Sequence, residues 1–248
     1  MSPSFDAPYD VISNLPNGSE GNSLLIKFKD DPSQQLFTLK KIASESYPVE
    51  CIVHNAIKQN SHLNLINAEH IAQYSNHYEL FIPHFGSTDL FTCIEYGLLD
   101  KKSIKNVMLQ IIAGLEHLHS LGWAHRDLKD ENIAIDLNSE PISVKILDYG
   151  SCIKLDHSFD GFKGGFDYFP PEYQALLSRE SDIRRNSLVF VDWKKFDIWR
   201  LGVLLYIMRF GGVPIKEECL YQSEDEDINF ILQTNTPSLE DIRIKLSQ

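Results

Sequence analysis

The sequence lacks any long apolar run. Its longest, "LGVLLYIM" (201–208), falls well short of the roughly 20 residues a helix needs to cross a bilayer, so no membrane partner is expected. Positive charge is also scarce: 23 Lys and Arg face 35 Asp and Glu, a formal net charge of −12 with a pI near 5.1. That balance disfavours nonspecific binding to nucleic acid or anionic lipid, and no nucleic-acid partner is expected. Cysteine is sparse. Cys51, Cys93, Cys152 and Cys219 are widely spaced and form no CxxC pair, which argues against a zinc site and, more strongly, against a disulfide framework. Reduced thiols in a cytoplasmic or nuclear protein are the simplest expectation. The opening "MSPSFDAPYD" is polar and acidic, unlike a signal peptide. No internal repeat is visible.

What is present is an ordinary globular composition, 43% apolar and 23% charged over 248 residues. That length can build one large domain or two lobes with a real core. Residues 1–8 read as a loose tail. From residue 9 the pattern is strand-like, "SLLIKFK" then "QLFTLKKI" across the turn-rich "DDPSQ". Residues 48–60 read as a helix, with Pro48 near its first turn and Ile52, Val53, Ala56 and Ile57 on one stripe. "HIAQYS" and "HYELFIPHF" add two short strands. "SIKNVMLQIIAGLEHLHSLG" (103–122) then places Ile104, Val107, Met108, Ile111, Ile112, Leu115 and Leu118 at helical spacing, with Gly122 as a stop. "NIAID" and "SVKILDYG" are short strands, and "KKFDIWRLGVLLYIMRF" reads as a buried helix. The fold class is α+β in two lobes: antiparallel sheet plus one helix over about 9–85, mainly helices over about 86–246.

Chemistry concentrates in "WAHRDLKDENIAI" (123–135). A charge cluster on a loop is usually solvated surface, and Asp127 or Lys40 alone would carry no weight. Here "HRDLKDEN" resembles the catalytic loop of eukaryotic protein kinases. Other pieces follow in order: "DYG" (148–150) resembles the metal-binding DFG motif, "GGFDYFPPE" (164–172) the end of the activation segment, and "DIWRLG" (197–202) the helix anchoring the lower lobe. Upstream, "FTLKKI" resembles the strand carrying the phosphate-binding lysine, and "STDLF" the segment after the hinge. The likeness spans about 9–246.

The resemblance implies roles. Asp127 would accept the proton of the substrate hydroxyl, and Lys129 would neutralise charge on the transferred phosphoryl group. Asn132 and Asp148 would offer hard oxygens to Mg²⁺. Lys40 would pair with the α- and β-phosphates of ATP, while Lys41 falls on the opposite face of the strand. Glu50 is the first choice as partner of Lys40, with Glu45 an alternative. Lys129 in the "DLKxxN" form favours protein Ser/Thr hydroxyls as acceptors. Ile82 would guard the adenine pocket, His84 and Phe85 would present backbone groups to adenine, Asp89 would contact the ribose, Ala134 would form the floor and Leu25 the roof. His125, His117 and His119 are expected to pack and hydrogen-bond rather than bind metal.

The pattern also departs from the family. "NGSEGNS" keeps Gly18 and Gly21, but Glu20 and Ser23 stand where glycines are expected; a phosphate cradle and a plain hairpin turn remain alternatives. The activation segment holds Ser151 and Ser158 and no threonine. Arg126 could pair with a phosphate on Ser158, or Asp156 or Asp160 could mimic one. The insertion "ALLSRESDIRRNSLVFVDW" carries Arg179, Arg184 and Arg185. Thr236 stands where an arginine partner of Glu172 is usual, leaving Arg243 or Arg200 as substitutes. "SEDED" (223–227) reads as a surface loop. An active Ser/Thr kinase is the leading expectation, with no regulatory partner indicated. A pseudokinase that keeps the fold without turnover is the rival, and "GGFDYFPPE" disfavours a small-molecule kinase.

Overall fold

A computed structural model describes residues 8–15, 23–44, 47–157, 169–170, 173, 191–212, 225–232 and 237–247. The chain divides into two compact units, one comprising residues 1–61 and 66–85, the other 62–65 and 86–248.

The first unit is built on a five-stranded antiparallel sheet. β1 (Tyr9–Asn14), β2 (Ser23–Phe28), β3 (Leu36–Ala43), β4 (His70–Gln73) and β5 (His77–Pro83) run in the order β1-β2-β3-β5-β4. Alternation along β3 sorts its side chains. Phe37 and Leu39 join Ile26 and Phe81 in a core on one face. Ile42 packs on the other, against Cys51, Ala68, Tyr78 and Leu80. Cys51 belongs to α1 (Val49–Gln59), the helix among the described residues of this unit. Its buried residues are Glu50, Cys51, Val53, His54 and Ile57. Ile52 is 40% exposed, so the expected stripe is rotated: the inward face includes a glutamate and a histidine that apolar counting passed over.

The second unit opens with β6 (Thr88–Asp89) and α2 (Leu90–Glu95), then α3 (Lys101–Ser120). All seven apolar positions expected to face inward on α3 are buried. Asp100 caps it, accepting from the Ser103 N–H at 2.7 Å. Gly122, at φ +83°, follows its end in the left-handed region open to glycine. β7 (Trp123–Ala124) pairs with β10 (Ile153–Lys154), and β8 (Ile133–Asp136) lies between β6 and β9 (Ser143–Ile146). A 3₁₀ turn, Asp130–Asn132, leads into β8. α4 (Trp193–Phe210) is the central helix, with twelve residues buried, which fits its nearly all-round apolar sequence. α5 (Glu226–Ile231) and α6 (Leu239–Ser247) follow among the described residues. Part of the acidic stretch expected to be a surface loop belongs to α5: Asp225 caps the helix and Glu226 and Asp227 occupy its first turn, where carboxylates suit the helix dipole. No helix among the described residues is long and apolar enough to cross a membrane.

Candidate active site

The first unit brings Lys40 and Glu50 together. Lys40 pairs across the sheet with Leu80, which places it on the α1 face of β3. Its Nζ lies 2.8 Å from Glu50 Oε1, and the Glu50 side chain is only 2% exposed. Lys41, one residue on, faces the other way and meets Glu79 at 2.7 Å. Glu45, the alternative partner, lies outside the described residues. His54 Nδ1 accepts the Ala68 N–H at 3.0 Å, so the lone pair at that nitrogen is spent on the backbone.

Leu25 on β2 pairs with Thr38 on β3. At the expected hinge, the His84 N–H donates to the Leu36 carbonyl at 2.9 Å, extending the sheet. The His84 ring sits 3.3 Å from Thr38 Oγ1, and burial pulls its pKa below the usual histidine value. Phe85 follows directly. Gly18, Glu20 and Gly21 lie outside the described residues, as do Ser158, Asp160, Glu172, Thr236 and the three insertion arginines.

The second unit gathers the rest. Asp127 follows β7, and the 3₁₀ turn carries the chain back on itself. Asn132 Nδ2 thereby reaches the Asp127 carbonyl at 2.8 Å and its Oδ2 at 3.3 Å. The Asn132 amide nitrogen is thus committed to Asp127, and Oδ1 is the remaining side-chain acceptor. The Asn132 carbonyl accepts the Leu147 N–H at 2.9 Å, which ties the following Asp148 to the same turn. Asp148 sits at φ +58° and Arg126 at +64°. Both lie in the left-handed region that non-glycine residues seldom occupy, a strain typical of sites where side-chain placement overrides backbone preference. Asp148 Oδ1 accepts the Gly150 N–H at 3.2 Å.

Lys129 shares this neighbourhood. Burial works against its charge, but the contact with Glu131 and the carboxylates of Asp127, Glu131 and Asp148 outweigh that and raise its pKa above the ordinary lysine value. Its Nζ lies 2.6 Å from Glu131 Oε2, a competing partner that is itself more than half exposed. Ala134 is buried on β8 and pairs with Asp89 on β6. Asp89 Oδ1 caps α2 through the Thr92 N–H at 2.8 Å.

His125 is fully buried. Its Nε2 bonds the Leu147 carbonyl at 2.9 Å, and its ring meets Tyr149 edge-on at 5.9 Å. Arg126 is 2% exposed. Its Nε donates to the Ser151 carbonyl at 2.6 Å and its guanidinium lies over Trp193 at 5.1 Å, so at least one of its donors serves the protein's own backbone.

The sequence reading missed what holds this loop. Asp197 on α4 is completely buried. Its Oδ1 accepts the Arg126 N–H at 2.9 Å, and its Oδ2 accepts the His125 N–H at 2.8 Å and faces His119 Nε2 at 2.8 Å. Burial alone would raise its carboxyl; the His119 hydrogen bond, favourable electrostatics from the neighbouring imidazoles and the His125 N–H outweigh that and hold it below its ordinary value. Arg200, also fully buried, places Nη1 3.3 Å from Asp127 Oδ1. The signal was present: an aspartate and an arginine inside an otherwise apolar helix must find partners.

A family model for the protein kinase domain matches residues 9–246. The chain belongs to the protein kinase family. The kinase is 33% identical over 172 residues to serine/threonine-protein kinase PSK2 of Saccharomyces cerevisiae, covering 67% of this chain and 14% of that protein. It is 30% identical over 217 residues to serine/threonine-protein kinase SRK2G of Arabidopsis thaliana, covering 84% of this chain and 56% of that one. It therefore spans little more than half the length of the plant relative and much less of the yeast one. Among solved structures, the Cydia pomonella granulovirus kinase PK-1 shares its fold, with a TM-score of 0.65 at 23% identity over 85% of this chain and 72% of that one.

Proposed function

We propose that the kinase is catalytically active and transfers the γ-phosphoryl group of Mg-ATP to Ser or Thr hydroxyls of proteins. The observation that carries this reading is the turn in which Asn132 Nδ2 holds Asp127 while the Asn132 carbonyl holds the segment bearing Asp148. That turn ties Asp127, Asn132 and the residue before Asp148 to one another, which supports a shared role for the three side chains.

The donor set fits magnesium. Asn132 Oδ1 and the Asp148 carboxylate are hard oxygens, and Mg²⁺ typically takes one or two such ligands and fills its shell from phosphate and water. Among the described residues no group of three or more His, Cys, Asp or Glu forms a self-contained metal cage. When bound, the metal ion would neutralise phosphate charge.

The chain's own residues supply the rest. Asp127 orients the acceptor hydroxyl and takes its proton as the oxygen bonds to phosphorus and the bond to the bridging oxygen of ADP breaks. Each carboxylate oxygen has two lone pairs, so hydrogen bonds to Asp127 leave it able to accept that proton. Lys129, kept protonated, leaves Glu131 for the transferring phosphoryl oxygens, and Lys40, steadied by Glu50, serves the α- and β-phosphates. Positioning and charge, more than covalent chemistry, do the catalytic work.

A specific observation also supports the pseudokinase alternative: the Lys129 charge is satisfied by Glu131 at 2.6 Å. The deciding experiment incubates the protein with Mg²⁺, γ-labelled ATP and generic Ser-, Thr- and Tyr-containing peptides, beside Asp127→Asn. Label on Ser or Thr, reduced at least 100-fold in the variant, is expected. Equal signals from both proteins remove the enzyme reading, and nucleotide-dependent thermal stabilisation without turnover establishes the alternative.

A further inference from the structure

Asp127 is gripped from two sides. Asn132 Nδ2 reaches its Oδ2 at 3.3 Å, and Arg200 Nη1 reaches its Oδ1 at 3.3 Å. One donor on one oxygen leaves a carboxylate free to swing about its Cβ–Cγ bond; donors on both oxygens set its plane. The two donors come from different places, Asn132 from the same turn and Arg200 from the central helix α4, more than seventy residues along the chain.

The setting of Arg200 is costly. Its side chain has no exposure to solvent, and its guanidinium lies 5.4 Å from the ring centroid of Phe169 and 5.2 Å from that of Phe196. Aromatic faces attract a cation, but a desolvated charge also requires an anion. The buried Asp127 carboxylate supplies one. Three residues earlier on the same helix, Asp197 holds the backbone N–H groups of His125 and Arg126. α4 therefore secures the loop twice: a carboxylate fixes its backbone, and a guanidinium fixes the side chain that follows.

We propose that Arg200 is a positioning residue for the transfer reaction, orienting the Asp127 carboxylate from inside the core. The proposal rests on the kinase reading above for its catalytic consequence, though the contact itself does not. Arg200 touches neither nucleotide nor acceptor; it acts through Asp127. Removing it should impair the chemical step while leaving nucleotide binding in place.

The test uses the full chain as wild type, Arg200→Met, Arg200→Lys, Asp127→Asn and the double variant Asp127→Asn with Arg200→Met. In peptide phosphorylation, Arg200→Met is expected to lower kcat about 10- to 100-fold, the range of a lost charge-assisted hydrogen bond, with KM for ATP changed less than about twofold. Arg200→Lys, which keeps the charge, should recover most of that loss. A purely packing role would not be rescued by lysine and would not spare KM. A folded Arg200→Met with kcat within about twofold of wild type overturns the proposal.

Melting temperatures provide a readout that needs no turnover. Asp127→Asn should lower Tm by several degrees, because it takes the carboxylate charge from the contact with a buried guanidinium, and the same change on the Arg200→Met background should lower it far less. Equal Tm shifts on both backgrounds overturn the contact. Should Arg200→Met fail to fold, the Asp127→Asn shift alone decides, and an unchanged or raised Tm counts against the proposal. Wild type no more active than Asp127→Asn would sink the kinase reading, and the Tm cycle would still judge the Arg200 contact.

Discussion

Replacing Asp197 should damage this kinase more than replacing any ligand-facing residue damages its stability. In Asp197→Ala, the His125 N–H, the Arg126 N–H and His119 Nε2 lose their acceptor at a site with no solvent exposure. Each buried donor left unpaired costs roughly 1–3 kcal/mol, so three cost about 3–9, and partial relaxation places the expected loss near 4–6 kcal/mol. Against the 5–15 kcal/mol typical of a folded domain, about half the stability would go. Asp197→Asn keeps one carbonyl acceptor but turns an N–H₂ toward an N–H donor, for an expected loss of about 2–4 kcal/mol. Urea denaturation followed by tryptophan fluorescence suits the measurement, since Trp193, 1% exposed, lies on the same helix. The pH dependence follows from the lowered Asp197 carboxyl. A group whose pKa is depressed on folding stabilises above its unfolded value and loses that contribution as pH falls through its folded value. The gap between wild type and Asp197→Asn should therefore hold steady from pH 8 to pH 5 and close only below the ordinary carboxylate value of 3.8. An Asp197→Ala midpoint within about 1 kcal/mol of wild type, or a gap closing near neutral pH, would refute the reasoning.

Other outcomes follow from the same geometry. Lys40→Met strands the buried Glu50 carboxylate and should cost about 3 kcal/mol, most of it restored by adding Glu50→Gln, as read by thermal melting. Gly86 sits at φ +78°, and a Cβ there would lie 2.4 Å from the Ile135 carbonyl oxygen, so Gly86→Ala should destabilise by several kcal/mol. Gly97, at φ +60° with nothing within 4 Å of such a Cβ, should lose only about 1 kcal/mol on the same change, and similar Tm shifts for the two would contradict this account. Burial pushes the Cys51 and Cys93 thiols up to about 11, with Glu50 and Asp89 adding to it, so both should resist DTNB at pH 8 until urea unfolds the chain. Rapid labelling of either in the native protein would count against the packing described.

Much of this was legible in the sequence because periodicity reports burial directly. The α3 stripe was read residue by residue, and the alternation that separates Lys40 from Lys41 needs only the two-residue period of a strand. The rotated face of α1 was not legible. Glu50 and His54 turn inward because each has a polar partner, Lys40 and the Ala68 N–H, that lies far off in sequence. The acidic stretch at 223–227 looked like a loop because charge was weighed and helix capping was not. The bond from the His84 N–H to the Leu36 carbonyl was not legible either, because a sequence does not show which amides a sheet uses. Asp197 and Arg200 stand inside a recognisable motif, but their partners lie some seventy residues away, where only the folded chain brings donor and acceptor together.

The most direct test of the central claim is phosphate transfer from γ-labelled ATP to a serine peptide across a Mg²⁺ titration, comparing wild type with Asp148→Ala. The account predicts transfer that rises with Mg²⁺ in wild type and falls at least 100-fold in the variant at every concentration. Transfer by Asp148→Ala at the wild-type rate, or wild-type transfer indifferent to Mg²⁺, would contradict it.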